Sequence, residues 1–245
     1  MGLLALGGLT LLLCVLAFRS ADVSNAGTDG TSTREAGTAA AQPSATPDAG
    51  APPPSVPDQR RADFTKGDAL PDGSRVYDSS TSVGMAVVDG QLVHGPPEGA
   101  AAESYLELRL PGSVTKLGAQ VRFAPGASGS IALVAWPTSV VAAARADRPL
   151  PSSGLRLTAT SHSWKATVGA DREVIAKGDF VATGPLLTFE VVRAGADLWV
   201  TDPAGDVAQV SEPRVAELAG PWACWELFET ASAQVPAAFA QVWAG

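Results

Sequence analysis

Four glutamates are the first residues to weigh for chemistry, because two carboxylates held about 5 Å apart can break a glycosidic bond with retention. Glu103 and Glu107 are four residues apart and would share one face of a strand, whereas Glu226 and Glu229, three apart, would not. Each reads as a solvated sheet carboxylate. Nucleophilic catalysis has little to work with: no Gly-x-Ser-x-Gly elbow occurs, and His94 and His162 are the only histidines. Two histidines and two distant cysteines, Cys14 and Cys224, give no zinc spacing. Asp197, Asp202 and Asp206 could offer oxygens to calcium but lack loop-motif spacing. Cys224, between Trp222 and Trp225, reads as a buried thiol packing as a small hydrophobe. No catalytic residue and no cofactor is expected.

Aromatic residues on the polar side of a strand are the better lead. In Asp197-Leu198-Trp199-Val200-Thr201, Leu198 and Val200 share one face and leave Trp199 with Asp197 and Thr201 on the other. An exposed indole beside hydrogen-bonding side chains suits a sugar ring, whose C–H face stacks while its hydroxyls find polar partners. His162 and Trp164 share a face in the same way, and Arg122 and Glu107 stand on polar faces of their own strands. The candidate binding residues are therefore Trp199, Trp164, His162, Asp197, Arg122 and Glu107. Trp136, Trp222, Trp225 and Trp243 sit in mainly apolar company and read as core.

The elements that must position these residues are short strands. Leu106, Leu108 and Leu110 alternate with Tyr105, Glu107 and Arg109, predicting one buried and one wet face. Asp89-Gly90 between two apolar runs is the sign of a two-residue hairpin. Further strands are predicted at 119–123, 131–136, 155–158, 163–168, 173–177, 186–193, 197–201 and 223–228, with at most a turn or two of helix at 140–146. About a dozen strands on roughly 185 residues favour two packed sheets over a small barrel. With no second cysteine in this region, burial alone must hold it together.

Three segments divide the chain. Residues 1–19 hold the uncharged run Leu3 to Phe18, about 24 Å long as a helix, and read as a signal peptide or membrane anchor. Its fate is open: cleavage after Ala26, retention as a single span, or lipidation at Cys14, where Leu11-Leu12-Leu13-Cys14 resembles a bacterial lipobox with a bulky residue before the cysteine. No basic stretch precedes the run, and Arg19 alone argues weakly for keeping that end inside. Residues 20–60, rich in Ala, Gly, Thr, Ser and Pro, cannot bury enough surface to order and read as a linker stiffened by Pro52-Pro53-Pro54. Residues 61–245 form the folded module. The layout predicts an extracytoplasmic protein, at the cell envelope or secreted. A net charge of -8 and scattered basic residues exclude a nucleic-acid partner.

Phe64 to Leu70, the Val87-to-Val93 hairpin and the stretch Phe189 to Gly205 together resemble the concanavalin A-like (laminin G-like) jelly rolls, over about Asp63 to Gly245. The start and linker look like those of exported actinobacterial proteins. The resemblance implies an all-β, two-sheet antiparallel sandwich. Its hydrolytic members carry Glu-x-Asp-x-x-Glu on one strand, which this chain lacks. The leading expectation is a non-catalytic, glycan-binding module tethered at or released from the envelope. The second is a structural or protein-interaction module without a sugar site, and the third a divergent glycoside hydrolase.

Overall fold

Alternation of apolar and polar residues dictates the architecture, since each strand buries one face and the buried faces must meet. The computed structural model describes residues 51–78, 85–93, 102–123, 130–139, 154–169, 172–218, 220–229 and 237–245. The apolar start, Cys14, His94, and the 140–146 segment lie outside these. In chain order the strands are β1 (Arg60–Asp63), β2 (Arg75–Asp78), β3 (Ala86–Val88), β4 (Gln91–Val93), β5 (Ala102–Arg109), β6 (Lys116–Arg122), β7 (Ser130–Trp136) and β8 (Leu155–Ala159). There follow β9 (Ser163–Val168), β10 (Glu173–Asp179), β11 (Leu187–Ala194), β12 (Asp197–Thr201), β13 (Val207–Ser211), the helix α1 (Pro213–Glu217), β14 (Trp222–Glu229) and β15 (Ala238–Ala244).

They form two antiparallel sheets. Sheet A runs β13-β12-β11-β6-β15-β4-β3, with β1 also pairing β15; sheet B runs β10-β9-β8-β7-β14-β5-β2. The core lies between them, and includes Leu106, Leu108, Leu133, Phe189, Leu198 and Trp225. Trp225 of β14 is 1% exposed and donates its indole N–H across the core to the Gly118 carbonyl of β6, 2.9 Å away. That bond satisfies the one polar atom of a large buried side chain and fixes the offset of the sheets. At the Asp89-Gly90 hairpin both residues take positive φ, 49° and 74°, as the tight turn requires.

Four strands lie outside those predicted from the sequence: β1, β2, β13 and β15. The last is the most consequential, because β15 lies inside sheet A and pairs with β1, β4 and β6. Its residues Ala238, Phe239, Ala240, Val242, Trp243 and Ala244 are all buried, so both faces are apolar and no period-2 signal survives.

Residues 51–59, read from composition as the end of the linker, are seated on sheet A. Trp199 Nε1 donates to the Ala51 carbonyl at 2.9 Å, Lys116 Nζ reaches the Val56 carbonyl and Asp58 Oδ1 at 2.6 Å each, and Gln59 N donates to Ala244 O at 2.8 Å.

Gly118 also bears on the outer side of sheet A, where a Cβ would lie 2.3 Å from the Trp243 ring. The ring has little freedom to retreat, since its Nε1 donates to Glu190 Oε2 at 2.8 Å. Gly118→Val is expected to destabilise the protein by about 1–3 kcal/mol in urea unfolding, with part of the loss recovered when Trp243→Ala makes room; an unchanged midpoint would contradict this packing.

Candidate functional site

Strand pairing sets out the outer face of sheet B row by row. Glu107 of β5 stands opposite Arg75 on β2 and Cys224 on β14; Cys224 stands opposite Val134 on β7, and Val134 opposite Arg156 on β8. One row along, Tyr77, Tyr105, Glu226 and Ala132 align, and on the other side Arg109, Trp222 and Trp136. Glu107 and Glu226, 119 positions apart in sequence, are thus diagonal neighbours on adjacent strands, with Cβ atoms roughly 7 Å apart.

This face is largely closed to solvent. The wet face expected from the alternation of β5 holds only for Arg109, because Tyr105 is 2% exposed and Glu107 is fully buried. Tyr105, Ala132, Val134, Trp136 and Cys224 form a second apolar cluster, with Tyr77, Trp222 and Phe228 half-buried against it. Within it Glu226 is ion-paired to Arg156, both buried, and Glu107 accepts a hydrogen bond from Ser139 Oγ at 2.6 Å. The Arg156 guanidinium also lies 5.8 Å from the ring centres of Trp136 and Phe228. Burial pushes the Cys224 thiol well above its ordinary pKa, and the neighbouring Glu226 and Glu107 push it further, so it is a neutral packing group. The Trp136 indole N–H, buried on this face, has no hydrogen-bond partner of adequate geometry.

Solvent reaches the face at its margins, at Tyr77, Phe228 and Trp222. Trp222 is half-buried, and the exposed guanidinium groups of Arg75 and Arg109 lie 5.3 and 6.0 Å from its ring centre. A half-open indole beside charged hydrogen-bond donors can stack a flat apolar surface and bind polar groups around it.

The residues nominated from the sequence do not gather at one place. Trp199, Asp197 and Arg122 are on the outer side of sheet A, Glu107 on the outer side of sheet B, Trp164 in the core and His162 in the exposed turn before β9. Trp199 keeps the face expected of it but is not exposed: it is 7% accessible, with Ala51 bonded to its indole. Trp164 turns inward with Ala166, which parts it from His162, and packs against Gly178. Arg122 is exposed at the end of β6, and Asp197 is half-buried at the start of β12. Asp202, a calcium candidate, is buried and accepts from Ala204 N and Asp206 N at 2.9 and 3.0 Å, which commits its carboxylate to its own turn. Among the described residues no group of three or more acidic, histidine or cysteine side chains is arranged to hold a metal.

The described core residues line one small cavity. Bounded by residues including Leu133, Leu157, Val191 and Arg193, it has room of about 10 Å³, enough for a single water. Arg193 beside it is buried, which lowers its pKa, and it donates to the Val114 carbonyl at 2.7 Å.

No family model and no curated protein matches this chain. Solved structures do resemble it. A Bacillus subtilis protein of unknown function with a galectin-like fold superposes with a TM-score of 0.51 at 10% identity, covering 76% of this chain and 94% of its own. The CBM2 module of an evolved Dit from Lactobacillus casei phage J-1 gives 0.50 at 10% identity with the same coverages. The exoplasmic/lumenal domain of VIP36, in a Ca2+/Man3GlcNAc-bound form, gives 0.48 at 8% identity over 70% and 82%. The chain is an all-β, two-sheet antiparallel jelly-roll sandwich. This is the concanavalin A-like architecture that the sequence resemblance implied, and at these identities the likeness speaks for the fold alone.

Breaking the buried Arg156–Glu226 pair by Glu226→Gln or Arg156→Met alone should cost about 3–5 kcal/mol, because the remaining partner stays buried without its counter-charge. The double replacement Arg156→Met with Glu226→Leu should recover most of it. Denaturant unfolding of the three variants checks this, and additive losses would contradict it.

Proposed function

We propose that this chain is an extracytoplasmic, non-catalytic glycan-binding module, and that the sugar is held at the margin of the outer face of sheet B, against Trp222. The observation that carries this reading is the partly buried Trp222 with Trp136 beside it in register and the Arg75 and Arg109 guanidinium groups 5.3 and 6.0 Å from its ring centre. A pyranose presents an apolar C–H face to such a ring and hydroxyls to its polar rim. The likeness to a galectin-like protein and to a CBM2 module supports the reading at the level of fold. An exported apolar-start protein with a Pro-rich linker would display such a module at the envelope, where polysaccharide is the abundant partner.

One observation favours a second reading, glycoside hydrolysis: the fold brings Glu107 and Glu226 onto one face. Separations of roughly 5–9.5 Å between carboxylates suit retaining or inverting chemistry. It ranks second because both carboxylates are buried at 1% exposure or less and Glu226 is committed to Arg156, so neither presents an oxygen to a sugar.

A glycan array followed by titration of the full chain with the best ligand tests both. Trp222→Ala should weaken binding by roughly tenfold or more, about 1.4 kcal/mol, while Trp199→Ala should leave it unchanged, and no reducing ends should be released. Absence of binding to every polysaccharide would overturn the proposal in favour of an interaction module. Release of reducing ends that Glu107→Gln abolishes would establish hydrolysis instead.

A further inference from the structure

The charge around Trp222 says which glycans the proposed site would take. Arg75 stands opposite Glu107 in register, yet its guanidinium lies over the Trp222 ring and makes no ion pair among the described residues. Arg109, the direct cross-strand neighbour of Trp222, does the same from the other position. Both are exposed. By contrast Arg61, Lys66, Lys116, Arg156 and Arg214 each have a carboxylate partner. Free surface cations occur elsewhere on the module; what distinguishes these two is that they converge on one half-open indole. Of the described acidic side chains on this face, Glu226 is ion-paired with Arg156, and Glu107 is buried and accepts from Ser139. In register beside Trp222 lies Trp136, buried, which backs the Trp222 ring from the adjacent strand.

Resting on the reading above, we infer that the ligand is an acidic polysaccharide. Its hexose face stacks on Trp222 and its carboxylate or sulfate groups are taken by the Arg75 and Arg109 guanidinium groups. A guanidinium fork matches the geometry of a carboxylate or sulfate edge and gains more from it than from a neutral hydroxyl. The chain as a whole carries a net charge of -8, which repels a polyanion at long range. At physiological salt that repulsion is screened beyond about 8 Å, so the two local cations decide the contact.

Titration of the full chain with polygalacturonate, chondroitin sulfate and a neutral galactan tests the inference. The acidic polymers should bind at least tenfold tighter than the neutral one, the preference falling as salt is raised; the two acidic probes separate carboxylate from sulfate recognition. Arg75→Gln with Arg109→Gln should remove that preference by weakening acidic-polymer binding to the level of the neutral polymer, while Arg75→Lys with Arg109→Lys should retain part of it. Equal binding of acidic and neutral polymers, insensitive to the arginines, would overturn the inference and leave the glycan reading standing. No binding of any of the three, with none on the array, would remove both. Single-stranded DNA bound as tightly as the acidic glycans, with the same arginine dependence, would also overturn it by marking a general polyanion patch.

Discussion

The ion pair between Arg156 and Glu226 spans β7 and organises the whole outer face of sheet B. A charged pair removed from water survives only when each partner is held close to the other and its remaining valences are met. Here that demand fixes the guanidinium over Trp136 and Phe228, and Trp136 in turn lies beside Trp222 in the pairing of β7 with β14. The half-open indole at the sheet's end therefore sits on a rigid floor. Its neighbours Arg75 and Arg109 come from β2 and β5, the last two strands of sheet B, so this part of the face combines an aromatic platform with two exposed cationic residues.

The two outer faces of the sandwich have been closed in different ways. On sheet A the chain covers itself, with residues 51–59 bonded to Trp199, Lys116 and Ala244. That cover satisfies the Trp199 indole N–H and removes the ring from any ligand. On sheet B the face is filled by its own aromatic and ionic side chains, and Trp222 is left partly open. Position in the fold, more than the polarity of its strand, decides which tryptophan is free.

Much of the fold was legible in local sequence, because alternation is a local property. The β5 leucines, the Asp89-Gly90 turn and the inward Leu198 and Val200 all fall where the pattern puts them. Strand β15 was not legible, since burial on both faces erases the period. The candidate site was less legible still. Covering Trp199 depends on a contact 148 residues away, and the meeting of Glu107 with Glu226 depends on the pairing of β5 with β14. One local signal did point the right way: Trp222, Cys224 and Glu226 share a parity in β14 while Ala223, Trp225 and Leu227 share the other. Of the two acids in β14, Glu226 lies among the aromatics of the outer parity, on a face that is closed rather than wet.

Six tryptophans give six indole N–H resonances, distributed over the core and both outer faces. Titrating the labelled protein with an acidic oligosaccharide and following those six signals tests the central claim most directly, once Trp→Phe variants have assigned them. The Trp222 signal should shift most and the Trp136 signal next, while Trp225, Trp164, Trp199 and Trp243 stay in place. Shifts centred on Trp199 or Trp243 would put the ligand on sheet A and contradict it.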